Sequence, residues 1–322
     1  MSLQRIRDIF FGSVFCLCAG NVEAQISPKF SAQLWADAHY EDRFGDQTMG
    51  FDVRRAVLTV EVDLDPVWSA QFSYLASLNA TARLQEGFLQ YAPGKYSDLQ
   101  VQFGRVKIPY YDYTEESFDN RWALMLSQAE SVSLISHRDD GVRAQFAAAD
   151  TVRVALMLRN AATSADADLG WNASLAWKPA PEFQWQLMLD QQTLSASPAR
   201  TTVLVSMGAR NNVTAGLLEL NYQSVDNGSG ATSDGVGFSL MGQYSVERTL
   251  DAETDRGVLA SIRTGSKDYR SAAREQLKLS LGGYRKLSSK LRTAVQGILH
   301  QGVDSTADSD GIAFFWTWEA KF

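Results

Sequence analysis

The sequence predicts an all-β protein: a transmembrane antiparallel β-barrel of about sixteen strands, each of roughly ten residues. Three observations predict this fold. Apolar and polar residues alternate with a period of two from residue 29 to the end of the chain. No stretch after residue 24 approaches the roughly 20 consecutive apolar residues that a membrane-spanning helix needs. The last segment, finally, carries an apolar face of bulky aromatic residues.

The alternation is clearest between Trp68 and Leu78. One face carries Trp68, Ala70, Phe72, Tyr74, Ala76 and Leu78, and the other carries Ser69, Gln71, Ser73 and Ser77, with Leu75 as the exception. An antiparallel sandwich or a secreted β-helix has the same period, so alternation alone leaves those folds open. The barrel is favoured because charged side chains recur on the polar faces, aromatic residues recur near strand ends, and the pattern continues without a linker.

The final segment, Gly311 to Phe322, strengthens the barrel prediction. Its apolar face consists of Ile312, Phe314, Trp316, Trp318, Ala320 and Phe322. On a soluble protein such an exposed edge strand would promote aggregation, whereas in a barrel it faces lipid and pairs with the first strand. A terminal phenylalanine also resembles the signal that the outer-membrane assembly machinery reads in bacterial barrels.

Residues 1–24 have the features of a secretory signal peptide. A positive start, an apolar run and a small-x-small site follow one another at Arg5 and Arg7, Ile9 to Ala19, and Val22 to Ala24. We expect cleavage near Ala24 and one barrel domain over residues 25–322, with a buried N-terminal helix as the alternative. Both cysteines, Cys16 and Cys18, lie in this leader, so the mature chain would have no disulfide and no cysteine metal site.

The net charge excludes one class of partner. The chain carries −7, and the leader holds equal numbers of positive and negative side chains, so the mature chain keeps that charge. Because nucleic-acid binding needs a basic surface, we expect no nucleic-acid partner.

The alternation stops between Lys107 and His137, and such a long strand-free segment is often functional. Motifs on both sides of it resemble those of the phosphate-selective porin O and P family. They are Arg54-Arg55-Ala56 in an early strand, GRVKIPY from Gly104 to Tyr110, Ser117, and RDDGV from Arg138 to Val142. The resemblance covers residues 51 to 146, and beyond it the strand rhythm and Phe322 agree.

The resemblance implies a sixteen-stranded barrel, a homotrimer, and a long inward-folded constriction loop that narrows the channel and selects anions. By position, the segment from Lys107 to His137 is the candidate loop. The constriction and pore-lining candidates are Lys107, Arg121, Arg138, Arg143, Arg55, Tyr110 and Tyr113. Arginine and lysine at a narrow point concentrate anions, and the arginine fork suits phosphate oxygens.

Acidic residues leave this selectivity open. The candidate loop also holds Asp112, Glu115, Glu116, Asp119 and Glu130. A channel dedicated to anions should instead have a clear excess of cationic side chains facing its lumen. The three loop tyrosines could line a passage for sugars or aromatic solutes, or could pack the loop on the wall.

The sequence offers no catalytic site. Its three histidines, His39, His137 and His300, are far apart, and none lies in a nucleophile motif. There is no phosphate-binding GxxxxGK motif and no histidine pair with zinc spacing, so we expect no cofactor and no metal.

The expected function is that of a bacterial outer-membrane porin, which forms a water-filled channel for passive diffusion of small hydrophilic solutes. A structural or adhesive barrel with a plugged lumen is the alternative. The expected partners are membrane lipid and lipopolysaccharide, further copies of the chain in a homotrimer, and the assembly machinery that reads Phe322.

Overall fold

The computed structural model describes residues 27–43, 46–77, 80–94, 98–112, 137–160, 169–194, 197–226, 232–248, 255–266, 276–302 and 311–322. The expected leader, residues 1–24, lies outside the described residues, so its cleavage stays a prediction. The described part of the chain contains no helix that is long and apolar enough to cross a membrane.

Sixteen strands form the described chain, and each pairs antiparallel with the next along the sequence. Strand β1 also pairs with β16, which closes the sheet into a barrel. The strands are β1 Lys29–Arg43, β2 Asp46–Asp63, β3 Trp68–Ser77, β4 Ala80–Tyr91, β5 Gln100–Lys107, β6 Arg138–Ala149, β7 Val152–Asn160, β8 Leu169–Ala180, β9 Phe183–Leu194, β10 Ser197–Arg210, β11 Thr214–Asp226, β12 Thr232–Arg248, β13 Asp255–Ser266, β14 Gln276–Lys286, β15 Leu291–Gly302 and β16 Gly311–Lys321. The predicted barrel of about sixteen strands is confirmed.

The two ends of the barrel differ. The end that holds Lys29 and Phe322 is called the terminal end below, and the opposite end is called the loop end. The connection between β5 and β6 leaves from the loop end, and it coincides with the strand-free segment expected from the sequence.

The two faces of each strand meet different surroundings, as the alternation predicts. On β9, Leu187 and Leu189 are exposed on the outer surface, whereas Gln186 and Asp190 are buried towards the lumen. The same division holds on β7 to β16, where exposed large hydrophobic residues alternate with buried polar ones. The outer surface is therefore an apolar belt, as a barrel in lipid requires.

A charge placed on this belt is expected to destabilise the barrel. Leu281 lies in the middle of β14 and is 69% exposed. Leu281→Arg should lower the free energy of unfolding by about 2–4 kcal/mol, the cost of arginine near the bilayer midplane. Urea unfolding in phospholipid vesicles measures this value, and Leu281→Phe, which keeps the position apolar, should match the wild type. Equal stability of the arginine variant would mean that β14 does not face lipid.

The barrel closes through the last residue. Phe322 N donates to Ala32 O at 2.8 Å, and Ala32 N donates to Phe322 O at 3.2 Å, so the pairing between β1 and β16 continues to the chain end. The rings of Trp316 and Trp318 lie 4.6 Å apart on the outer face, and Trp316 Nε1 donates to Thr293 Oγ1. An aromatic ring with one polar atom suits the interface between lipid and water.

Hydrogen bonds from backbone N–H groups to side-chain oxygens stabilise three short connections between strands at the terminal end. Asp65 Oδ1 accepts from the backbone N–H groups of Val67 and Trp68, both at 2.8 Å. Asn211 binds the backbone of residues 213 and 214 in the same way, and Ser288 binds that of residues 290 and 291. Each side chain satisfies donors that the strand pairs leave without partners, which stabilises the reversal.

Glycine is required where β4 and β5 meet. Gly104 has a φ of 127°, which side-chain-bearing residues rarely adopt, and a Cβ there would lie 2.3 Å from the carbonyl oxygen of Gly87. Pairing between β4 and β5 is limited to Gly87–Tyr91 with Val101–Arg105. Within the described residues, the pairing of β4 with β5 therefore lies towards the terminal end.

Candidate functional site

A cavity of about 810 Å³ occupies the lumen between the level of Lys107 and the terminal end. The inner faces of β1 to β4 and β16 form most of its wall. The Arg and Lys side chains that line it are Arg54, Arg55, Lys107, Arg138, Arg210, Arg292 and Lys321, and the acidic ones are Glu61, Glu86 and Glu319. Among the residues that the structure describes, seven cations against three carboxylates give this lining an excess of four positive charges.

A β-bulge in β2 brings two consecutive arginines into the cavity. Trp35 on β1 pairs with Arg55 and the next residue, Ala36, pairs with Val53, so Arg54 is the extra residue of the bulge. A bulge turns two neighbouring side chains to one face, and both Arg54 and Arg55 line the cavity. Arg54 forms an ion pair with Asp37, and the Arg55 guanidinium lies 5.2 Å from the Trp35 ring centroid.

A second β-bulge, in β4, also turns two consecutive side chains into the cavity. Ser73 pairs with Glu86 and Tyr74 pairs with Leu84, so Gln85 is the extra residue, and both Gln85 and Glu86 line the cavity. Arg138 Nε donates to Glu86 Oε1 at 2.6 Å. The Gln85 amide, with its oxygen assigned to face Arg138, accepts from both terminal nitrogens at 2.9 and 3.1 Å. The two bulge residues thereby fix Arg138 at the wall of the cavity.

The mouth of the cavity at the terminal end has one carboxylate between two cations. Glu319 forms an ion pair with Arg292 on the neighbouring strand β15, and Lys321 Nζ lies 3.8 Å from its other oxygen. One of these positive charges is therefore not compensated by Glu319.

Lys107 and Arg138 end and begin the two strands that flank the long connection, and a compact set of contacts holds the connection's base. The Tyr111 and His137 rings stack at 3.9 Å, and Ile108 N donates to His137 O at 3.0 Å. Arg143 donates to the Lys107 carbonyl oxygen at 3.1 Å and lies 2.5 Å from Asp112. We call Tyr111, His137, Asp112 and Arg143 the loop-base clamp.

The first residues of the connection lie inside the barrel. Ile108, Tyr110 and Tyr111 are fully buried in an apolar cluster with Met157, Met188 and Leu204. Those last three residues are on the inner faces of β7, β9 and β10, where their strand neighbours on the same face are polar except for Ala155. This apolar patch provides a seat for the two tyrosine rings, whose centroids are 5.2 Å apart.

Several charges of the inner wall compensate one another away from the cavity. Arg159 contacts Asp139, and its Nη2 lies 2.6 and 2.7 Å from the two oxygens of Asp190. Arg159 and Asp190 are each 2% exposed. A buried pair in which one guanidinium nitrogen contacts both carboxylate oxygens fixes the wall and contributes little field to the lumen.

The expected site residues divide into three groups. Arg55, Lys107 and Arg138 lie together on the cavity. Arg143 and Tyr110 are buried in the clamp and its apolar seat instead of lining this cavity. Arg121 and Tyr113 lie outside the described residues, as does the rest of the connection from 113 to 136.

The strand alternation assigns Arg54 to the outer face, and the site prediction therefore missed it. A signal is present in the sequence: apolar residues occupy the odd positions 49, 51 and 53, then the even positions 56, 58, 60 and 62. This change of phase locates the bulge. Lys321 and Arg210 were missed because they lie at the rim, where the apolar pattern ends.

Comparison with known proteins places these features in context. A family model described as "Phosphate-selective porin O and P" matches residues 29–235. No curated protein sequence matches significantly. The similar solved structures include an anion-selective porin from Comamonas acidovorans, with 11% identity, coverage of 92% of this chain and 100% of that chain, and a TM-score of 0.71.

Two further structures share the fold. The in-vitro folded, trimeric OmpT of Vibrio cholerae has 12% identity, covers 92% of this chain and 99% of its own, and gives a TM-score of 0.68. The outer membrane channel DcaP of Acinetobacter baumannii has 11% identity, with coverage of 94% and 99% and a TM-score of 0.67. At these identities the likeness concerns the fold alone.

Proposed function

Because the chain belongs to the phosphate-selective porin O and P family and is an outer-membrane porin for passive diffusion of small hydrophilic solutes, we propose that its channel prefers anions. The observation that carries this proposal is the charge of the cavity, where seven Arg and Lys side chains of the described chain face three glutamates. The chain as a whole is negative, so this excess is a local property of the lumen. A porin of this fold acts as a channel and not as an enzyme.

The field inside a narrow, low-dielectric lumen is stronger than the same charges would produce in bulk water. An entering anion loses part of its hydration shell, and the N–H groups of Arg55, Arg138 and Lys107 replace those water contacts. Guanidinium groups bind two oxygens of one oxyanion at once, which favours phosphate and similar oxyanions over chloride. We therefore include phosphate among the preferred solutes.

The segment from Lys107 to His137 is proposed as the inward-folded constriction loop. Burial of Ile108, Tyr110 and Tyr111 against the inner wall supports this direction of entry. In this proposal Lys107, Arg121 and Arg138 are the cations of the constriction. Arg143, Tyr110 and Tyr113 hold or border the loop.

The proposal extends to the surroundings of the barrel in the bacterial outer membrane. We propose a homotrimer embedded in lipid and lipopolysaccharide, exported after cleavage near Ala24 and assembled through recognition of Phe322. The exposed apolar belt supports the lipid contacts, and the pairing of β16 with β1 up to Phe322 supports a role for that residue in closure.

Reversal potentials in planar bilayers test the selectivity. In a potassium chloride gradient the wild-type channel should reverse close to the equilibrium potential of chloride, and added phosphate should lower the chloride current by competition. Arg121→Ala should weaken that competition. A reversal potential close to that of potassium would contradict the proposed anion preference. Competition unchanged by Arg121→Ala would remove Arg121 from the site.

A further inference from the structure

The charged cavity of the lumen contains a small apolar surface. Trp35 on β1 and Val57 on β2 are the two apolar side chains that line the cavity among the described residues. Trp35 pairs with Arg55, and Gln33 pairs with Val57, so the two apolar residues are diagonal neighbours on one face of the sheet. Side chains at such positions lie within reach of an aromatic ring. We call Trp35 and Val57 the apolar platform.

Packing holds the Trp35 ring in place. The ring contacts a buried apolar cluster on the inner faces of β11 to β15, which consists of Leu217, Met241, Leu259, Tyr284 and Ala294. The Tyr284 hydroxyl donates to Asp255 Oδ1 at 3.0 Å and accepts from Gln243 Nε2 at 2.6 Å, which fixes the aromatic member of the cluster. A ring that is already held in this way loses little conformational freedom when a solute binds to it.

Charged side chains flank the apolar platform. The cross-strand neighbours of Trp35 are Arg55 on one side and Glu319 on the other. The Arg55 Cζ lies over the Trp35 ring, 5.2 Å from its centroid, so the planar face of the guanidinium is turned to the ring. Guanidinium N–H groups lie in the plane of the group, so its edge can bind an oxyanion while its face remains on a ring. An apolar surface and an anion-binding edge are therefore adjacent in the same wall.

This combination favours organic anions that carry a ring. Chloride and phosphate have no apolar surface to bury on Trp35 and Val57. An arene carboxylate can place its ring on the apolar platform and its carboxylate at the edge of Arg55, so both parts of the solute exchange water for protein contacts. The cavity of about 810 Å³ is large enough, since small-molecule sites occupy about 300–1,000 Å³.

We propose that the apolar platform and Arg55 form a subsite for arene carboxylates, the anions in which a carboxylate is attached to an aromatic ring. This inference rests on the anion preference proposed above and names a class of organic solute within it. Trp35 contacts the solute ring, Val57 extends the apolar surface, and Arg55 binds the carboxylate. Because the subsite lies in the lumen, a bound arene carboxylate obstructs the passage of chloride.

Inhibition of the chloride current by two carboxylates tests this subsite in planar bilayers. Benzoate should halve the wild-type current at about one fifth of the acetate concentration that has the same effect, the advantage expected from one aromatic contact. Trp35→Leu removes the ring and should lose most of this advantage, whereas Trp35→Phe keeps a ring and should retain most of it. Val57→Thr keeps the shape of the side chain but makes it polar. It should weaken the benzoate advantage without changing inhibition by acetate or the reversal potential.

The matched control removes a tryptophan from the other side of the wall. Trp171 is exposed on the outer face of β8, so Trp171→Leu should keep the wild-type ratio of benzoate to acetate inhibition. An unchanged ratio in Trp35→Leu or in Val57→Thr overturns the subsite. Equal inhibition by the two carboxylates in an anion-selective wild-type channel overturns the subsite alone. A wild-type reversal potential close to that of potassium overturns the anion preference on which the subsite rests.

Discussion

Replacing both Arg54 and Arg55 with glutamate is expected to abolish the anion preference of the channel. The described cavity lining would change from seven cations and three carboxylates to five of each, so its excess of four positive charges disappears. In a potassium chloride gradient the reversal potential should move from near the chloride value to near zero. Arg55→Glu alone keeps the ion pair between Arg54 and Asp37 and should give an intermediate value, with an excess of two charges.

A control for overall charge is available on the outer face. Arg256 and Arg285 are opposite each other on β13 and β14, both are exposed, and neither lines the cavity. Arg256→Glu/Arg285→Glu changes the net charge by the same amount and should leave the reversal potential at the wild-type value. Lysines at positions 54 and 55 should also retain it. If the control shifts the potential as much as the lumen variant does, the preference comes from the net charge of the protein.

Truncation of Tyr111 is expected to widen the channel and reduce its selectivity together. The ring is fully buried between the apolar seat and His137, and removal of a buried aromatic side chain costs about 3–5 kcal/mol. A loss of this size is expected to displace the base of the connection. Lys107 and Arg138 should then no longer be held at the cavity. Single-channel recordings of Tyr111→Ala should show a larger and noisier conductance with a smaller anion preference.

Two further variants separate the clamp from general destabilisation. Tyr111→Phe keeps the stacking ring and should conduct like the wild type. Tyr244→Ala removes a tyrosine from the lipid-facing surface and should not change the conductance. A Tyr111→Ala channel with wild-type conductance and selectivity would show that the clamp does not position the two cations.

The sequence predicted the barrel well because apolar and polar residues alternate with a period of two along its strands. Lipid outside and water inside force each strand to alternate, and the aromatic last strand signals closure with the first. The boundaries of the β5–β6 connection were also predictable, since alternation stops at Lys107 and resumes after His137. These features depend only on the local order of residues and on the contrast between lipid outside the barrel and water inside it.

The site was harder to predict because two β-bulges determine which side chains line the cavity. A strict alternation places Arg54 outside and separates Gln85 from Glu86, whereas the two bulges turn all of them towards the lumen. Between residues 53 and 56 the apolar residues shift from odd to even positions, which indicates the bulge in β2. This signal consists of one extra residue only.

Charge counting along the sequence leaves the selectivity open for a different reason. Asp139 and Asp190 are taken up by buried Arg159, so these two acids do not offset the cations of the cavity, whereas Asp112 pairs with both Arg143 and Lys107. Such compensation depends on contacts between strands that are distant in sequence. A local charge pattern does not report it.

The most direct test of the channel uses neighbouring residues on opposite faces of β2. Thr59 lines the cavity, and Leu58 is exposed on the outer surface. With no other cysteine in residues 25–322, Thr59→Cys can be modified by thiol reagents of either charge while current is recorded. We expect modification to reduce the current, with the anionic reagent reacting faster than the cationic one after each rate is divided by its rate with a free thiol. Leu58→Cys should show no change in current. Complete modification of Thr59→Cys without loss of current, or a faster relative rate for the cationic reagent, would contradict a cationic conducting lumen.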